Sequence, residues 1–161
     1  MSELEDFQIP DPSEAHLKPL TTQRIVEFMD RKEYHYALDD DGDPTAVFDH
    51  QLFWFIIHGD QNSVLQIRGR LRLPVNPERR SEALMMLNDA HREYVFPTLF
   101  IADTDVGARV MGNYSVLAPR GLTDAQFDAA IEHGVARVIS TFERLEREAF
   151  GDVFLPAPDD D

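Results

Sequence analysis

The chain has no cysteine and only two lysines, Lys18 and Lys32. The first absence excludes a disulfide framework, a thiolate nucleophile and any cysteine-ligated zinc, and an intracellular protein is its simplest expectation. The second leaves arginine to carry almost all of the positive charge. Arginine's planar fork suits bidentate contact with carboxylates, although a GC-rich coding sequence also favours its codons. Positive charge is itself scarce, with 15 Lys+Arg against 30 Asp+Glu and a formal net charge of -15. Counterion release from a nucleic acid needs clustered cations, so nucleic-acid binding is disfavoured. Long apolar runs are also missing. The longest, Leu52 to Ile57, is far short of a membrane span. The start, Met1-Ser2-Glu3-Leu4-Glu5-Asp6, has no basic region followed by an apolar stretch, so no secretory signal is expected and the predicted address is cytoplasmic.

Catalytic signatures are absent as well. There is no Gly-x-Ser-x-Gly, no P-loop and no dinucleotide fingerprint, and each of those chemistries depends on a fixed backbone geometry that such spacing encodes. Six histidines occur, at 16, 35, 50, 58, 91 and 133, none at metal-type spacing from another. The aspartate-rich Asp39-Asp40-Asp41-Gly42-Asp43 resembles a calcium loop at first. With Gly42 at the sixth loop position, however, Ala37 and Phe48 fall where the first carboxylate and the bidentate glutamate belong, so a hairpin turn explains it better. No cofactor, no metal and no enzymatic activity are expected. The rival expectation is a small-molecule sensor or an enzyme using a rim of Asp49, His50 and His58 at the ends of one strand.

What is present is a folded chain of ordinary composition, 161 residues with 43% apolar and 10% aromatic side chains, enough for one well-buried core. Residues 1–20 hold Pro10, Pro12, Pro19 and five acidic residues and predict a flexible acidic arm. Residues 151–161, ending Pro156-Ala157-Pro158-Asp159-Asp160-Asp161, predict an acidic tail. Between them lies a single domain over 21–150. Thr21 or Thr22 caps a first helix to about Lys32, with Ile25, Phe28 and Met29 inward. Strands follow at Tyr34–Leu38, Thr45–Asp49, Leu52–Ile57 and Val64–Leu73. Asn76 and Pro77 open a second helix to about Val95, with Leu84, Leu87, His91 and Tyr94 on one face. A hairpin over Leu99–Ala102 and Ala108–Leu117 precedes a last helix with a Thr123/Gln126 capping box and a stripe from Phe127 to Leu145. The order is α-β-β-β-β-α-β-β-α. Its short connections require antiparallel hairpins, so the fold class is α+β, an antiparallel sheet with flanking helices.

One stretch stands apart chemically. Arg68, Arg70 and Arg72 occupy alternate positions in Val64–Leu73, and alternation sends all three to one face while Ile67, Leu71 and Leu73 turn inward. With Arg79 and Arg80, five of the fifteen basic residues fall between positions 68 and 80. These five are the candidate partner-binding residues, since arginine forks match carboxylates; the competing expectation is a solvated strand face with local ion pairs. Leu52–Ile57 is apolar on both faces, so Trp54, with Phe53 and Phe55, is the candidate homodimer interface.

Several phrases carry a resemblance. They are Thr22-Gln23-Arg24-Ile25, the Asp39–Asp43 turn, Val64–Leu73 with its arginines, Leu87-Asn88, and Gly121-Leu122-Thr123. Together, over about residues 21–149, they resemble the YbjN family of bacterial proteins, which shares the fold of type III secretion chaperones. The resemblance implies that fold, a homodimer, and a sensory or regulatory role. In the secretion chaperones the sheet and first helix bind an extended effector segment. The expected function is therefore a non-enzymatic regulatory or chaperone-like protein-binding module. Its arginine strip would recruit acidic segments, with the protein's own acidic termini competing for it.

Overall fold

The computed structural model describes residues 16–158. Three helices, α1 (Thr22–Arg31), α2 (Arg80–Glu93) and α3 (Asp124–Glu148), accompany six strands: β1 (Ala37–Leu38), β2 (Pro44–Phe48), β3 (Gln51–His58), β4 (Val64–Pro74), β5 (Thr98–Thr104) and β6 (Gly107–Leu117). All strand pairs are antiparallel, in the order β1-β2-β3-β4-β6-β5. The first four run as a meander. α2 then crosses the sheet end, so that the β5–β6 hairpin returns with β6 beside β4. This is the expected α+β arrangement and element order. β1 keeps only two of its expected residues.

Helices α1 and α3 begin where a side chain supplies the acceptor that orphan N–H groups need. The Thr21 hydroxyl accepts the Arg24 N–H at 3.2 Å. At α3, Thr123 and Gln126 form the reciprocal capping box, with bonds of 3.1 and 3.0 Å. Asn76 caps a short 3-10 turn, Pro77–Arg79, that leads into α2. α2 buries Ala83 and Leu87, whereas Leu84, expected inward, is 48% exposed. The 3-10 turn delays the α-helical start to Arg80 and so rotates the face that meets the sheet.

The core lies between the helices and one sheet face. Phe53, Phe55, Leu65, Ile67, Leu71 and Val110 from the strands meet Phe28, Phe127, Ile131, Val138 and Phe142 from α1 and α3. At Gly69, on β4, a Cβ would lie 2.6 Å from Val138 Cγ1, 3.0 Å from the Phe53 ring and 3.2 Å from the Phe142 ring. The strand and α3 therefore touch where only hydrogen fits.

Both predicted termini shorten. Leu20 is in the core, and Lys18 pairs with Leu122 through backbone bonds in both directions, so the domain starts before Thr21. At the other end Val153 is fully buried. The Asn76 N–H donates to Val153 O, and the Leu155 N–H donates to Pro74 O. Residues 153–155 thus form a strap along the end of β4 and are not a free tail. The expected arm at 1–15 and the aspartates Asp159–Asp161 lie outside the described residues.

We expect Gly69→Ala to destabilise the fold by about 1–3 kcal/mol, since overpacking forces side chains from their rotamers. Urea unfolding followed by circular dichroism measures it; an unchanged midpoint contradicts the close contact.

Candidate functional site

All three helices pack on one face of the sheet; the other face is uncovered among the described residues. Alternation along the paired strands brings Leu52, Trp54 and Ile56 of β3, Gln66, Arg68 and Arg70 of β4, Phe100 of β5, and Arg109, Met111 and Asn113 of β6 to that outer face. Trp54 pairs with Arg68, Leu52 with Arg70, Arg70 with Met111, and Phe100 with Met111. The Arg70 guanidinium lies over the Trp54 ring at 5.7 Å, and that of Arg68 over Phe100 at 5.6 Å. Such contacts contribute about 0.5–1 kcal/mol each when exposed, and they hold the arginine stems flat on the apolar surface. No Asp or Glu stands on this face among the strand residues β2 to β6. In a chain with thirty acids, a carboxylate-free face bearing three arginines runs against the overall charge.

The expected residues separate into two groups. Arg68 and Arg70 share the face as alternation requires, with Arg68 Nε donating to Asn113 Oδ1 at 2.9 Å. Arg70 has no hydrogen bond or ion pair among the described residues, and its half-burial pulls the guanidinium pKa below its ordinary value. Arg72 begins to depart. The β4–β6 register shifts between Arg70 and Pro74, and within this bulge Arg72 pairs with Glu146 of α3 at 3.3 Å. Arg79 pairs with Glu82 and Asp152, both at 2.9 Å, and Arg80 with Asp103 at 2.7 Å. Those two fasten the start of α2 and lie away from the face, as the ion-pair expectation had it.

The interface expectation narrows in the same way. Phe53 and Phe55 are fully buried under the helices, because they have the opposite parity to Trp54, and they cannot meet a second chain. Trp54 remains, on the same surface as the arginines. The two surfaces expected separately, one for a partner and one for a second copy, are one surface.

The rim of Asp49, His50 and His58 does not assemble. Asp49 and His50 form the left-handed turn between β2 and β3, with φ of 49° and 61°, whereas His58 ends β3. Eight residues of strand separate the two ends, roughly 25 Å at about 3.3 Å per residue. His58 instead neighbours the Asp39–Asp43 turn. There the carboxylates of Asp39, Asp41 and Asp43 lie within 4.8 Å of one another, and Asp39 Oδ1 accepts the N–H groups of Asp41 and Asp43 at 3.0 and 2.9 Å. That is the expected hairpin turn. Partial burial, then Asp39 and Asp41, push the Asp43 pKa up, and His58 partly offsets them. His91 of α2 accepts the Leu99 N–H on Nε2 at 2.9 Å, a structural use.

Arg109 carries no sequence signal beyond a single cation inside an apolar hairpin strand. It is 4% exposed, and its Nη1 donates to Arg72 O at 2.7 Å and Leu71 O at 3.4 Å. It thereby satisfies the carbonyls that the bulge removes from the ladder. Burial, then the nearby Arg70, hold its pKa below the ordinary value. Arg70, Arg72 and Arg109, with His50 and Leu52, line a cavity of about 440 Å³ whose remaining wall includes Ala157 and Pro158; none of its lining residues is acidic. A larger open groove of about 720 Å³ lies on the helical side between α3 and the α2–β5 connection, lined by Tyr94, Phe96, Tyr114 and Arg137 among others. It gathers none of the expected residues.

This is the architecture of a secretion-chaperone-like fold with an open sheet face. A model of the YbjN family, described as "Putative bacterial sensory transduction regulator", matches residues 21–147. The chain belongs to that family. The crystal structure of YbjN from E. coli, described as a "putative transcription regulator", superposes with a TM-score of 0.72 at 10% identity, covering 88% of this chain and all of that one. An uncharacterized protein from Methanothermobacter thermautotrophicus gives 0.54 at 13% identity, over 82% of this chain and all of the other. A chain of the HopA1–SchA chaperone–effector complex gives 0.52 at 15% identity, over 81% and 100%. At these identities the likeness is one of fold. No curated protein sequence matches the chain. No helix among the described residues is long and apolar enough to cross a membrane.

Two of the outer-face cations, Arg109 and Arg70, should respond oppositely to removal. Arg109→Leu strands the bulge carbonyls and is expected to cost about 1–3 kcal/mol. Arg70→Met removes a half-desolvated, unpaired charge and is expected to leave stability unchanged or raise it. Urea midpoints of the two variants check this; a large loss at Arg70 contradicts its lack of a partner among the described residues.

Proposed function

We propose that the protein is a non-enzymatic, cytoplasmic regulatory module that binds an extended, acidic segment of a protein partner on its open sheet face. One observation carries the reading: the outer face combines Leu52, Trp54, Ile56 and Phe100 with Arg68 and Arg70 and bears no carboxylate. A segment alternating acidic and apolar side chains meets both elements, the acids on the guanidinium forks and the apolar groups between them. The family match to a regulator and the fold shared with a chaperone–effector complex support a binding role over a catalytic one. So does the separation of Asp49 and His50 from His58. Net charge of -15 makes the face a local exception, which steers acidic partners to it and repels them elsewhere.

A second copy is the other occupant expected for Trp54. Stacked face to face, two copies bring Arg68 and Arg70 to a surface already carrying them, with no acid to meet them. An acidic partner is therefore favoured.

Panning a random-peptide display library against the immobilised protein tests the proposal. We expect enrichment of sequences rich in Asp and Glu interleaved with apolar residues, lost on Arg68→Glu and on Trp54→Ser. Enrichment of basic sequences, or none, contradicts it. Light scattering decides between occupants: a mass near 18.4 kDa leaves the face free, whereas a dimer dissociated by Trp54→Glu assigns it to a second copy.

A further inference from the structure

At one end of the open face, the β2–β3 turn, the bulge of β4 and the start of β6 enclose the cavity of about 440 Å³. Its cations come from two paired strands. Arg70 pairs with Met111 in the β4–β6 register, so Arg109, two residues before Met111, is its diagonal neighbour, roughly 7–8 Å away along the backbone. Arg109 is 4% exposed, and its Nε and Nη1 donate to the carbonyls of Val106, Leu71 and Arg72. Carbonyls satisfy its donors but cancel none of its charge. Nη2 makes no hydrogen bond among the described residues, where no buried side-chain nitrogen lacks one, so Nη2 opens on the cavity. Arg70 is half buried and has neither hydrogen bond nor ion pair among the described residues. Burial, then the charge of Arg70, hold the Arg109 pKa down, so the two guanidinium groups repel each other across this space. No carboxylate lines it; Glu146, which holds Arg72, stands outside.

We propose that this cavity is a receptor for a phosphate monoester, held as its dianion between Arg70 and Arg109. The inference rests on the outer face as the binding surface and names the group that its cationic end takes. Charge counting selects the ligand. A lone carboxylate carries one charge and fills one guanidinium fork, which leaves the second cation unmatched. A phosphate monoester carries close to two charges and three acceptor oxygens, enough to accept from both forks at once. The contact also differs from an exposed ion pair. Arg109 is desolvated and fixed by its carbonyls before any ligand arrives, so it needs no further ordering and is little screened by salt. Such a monoester belongs either to a phosphorylated side chain of the acidic partner segment or to a small phosphorylated metabolite; the chemistry that the cavity recognises is the same.

Calorimetric titration of the full chain tests this with methyl phosphate, at a slightly alkaline pH where the monoester is a dianion. We expect binding at one site, with dimethyl phosphate and acetate, each of single charge, about tenfold weaker or worse. Arg70→Gln, with its urea midpoint confirming an intact fold, should weaken methyl phosphate about tenfold. Arg80→Gln, which removes a cation outside the cavity, should not. No binding of methyl phosphate, equal binding of dimethyl phosphate, or binding that survives Arg70→Gln overturns the receptor. A peptide alternating glutamate and leucine, with a phosphoserine at one end or the other, then assigns the source, and either result supports the receptor. A gain of about tenfold over both the unphosphorylated peptide and methyl phosphate puts the phosphate on the partner segment; no gain over methyl phosphate assigns it to a metabolite. Failure of the receptor leaves the proposed function standing, because display would still enrich unphosphorylated acidic sequences. Failure of that enrichment, with methyl phosphate still bound through Arg70, removes the face and keeps the cavity.

Discussion

The outer face exists because α3 lies almost in contact with β4 and β6. Gly69 on the strand and Gly134 on the helix make that approach possible. A Cβ at Gly134 would sit 2.5 Å from Ile67 Cδ1 and 3.0 Å from the Tyr114 ring, in addition to the clashes at Gly69. A helix seated this closely fixes which parity of β4 is buried. Leu65, Ile67, Gly69 and Leu71 meet the helical layer, and Arg68 and Arg70 have no choice but the open side. A one-residue slip would drive two guanidinium groups into an apolar core, at a cost no single domain could carry. The same contact that stabilises the fold therefore sets the chemistry of the face.

That face runs against ordinary stability. Among the described residues Arg70 is half buried with no hydrogen bond or ion pair, and Arg109 is buried with only carbonyl acceptors. Trp54, Leu52 and Ile56 stay partly open to water where a further layer could cover them. On the proposed function, this is stability traded for an available site. Several of the cations elsewhere behave differently. Arg24, Arg31, Lys32, Arg79, Arg80 and Arg144 each hold a carboxylate and tie helices or connections to one another.

Much of this was legible in the residues. Helix starts announced themselves through Thr21, Asn76 and the Thr123/Gln126 box, since capping is local chemistry. Alternation in Val64–Leu73 placed Arg68 and Arg70 correctly because side-chain parity in a strand is geometric. The same rule, applied to Leu52–Ile57, would have assigned Phe53 and Phe55 to the core; two-sided apolarity hid which parity faced inward until α1 and α3 were in place. Arg72 was misassigned in part by the bulge, a departure from pairing that sequence pattern does not encode. Arg79 and Arg80 were grouped with the ladder by proximity in sequence, yet a turn after Pro74 carries them to α2. Arg109 gave no warning, since a lone cation in an apolar strand reads as an ordinary edge residue. The strap was missed because two prolines and four aspartates after Gly151 outweighed the apolar Val153-Phe154-Leu155 that docks it.

Trp54 is the only tryptophan, and it lies under Arg70 at the centre of the open face, so its emission reports directly on occupancy there. The decisive measurement is a titration of the protein with a peptide alternating glutamate and leucine, following Trp54 fluorescence beside calorimetric heat. The account predicts a saturable change in emission with the same midpoint as the heat, absent for the lysine–leucine counterpart and weakened by salt. Calorimetric binding of the acidic peptide with no change at Trp54 would contradict it, since the partner would then be held on another surface.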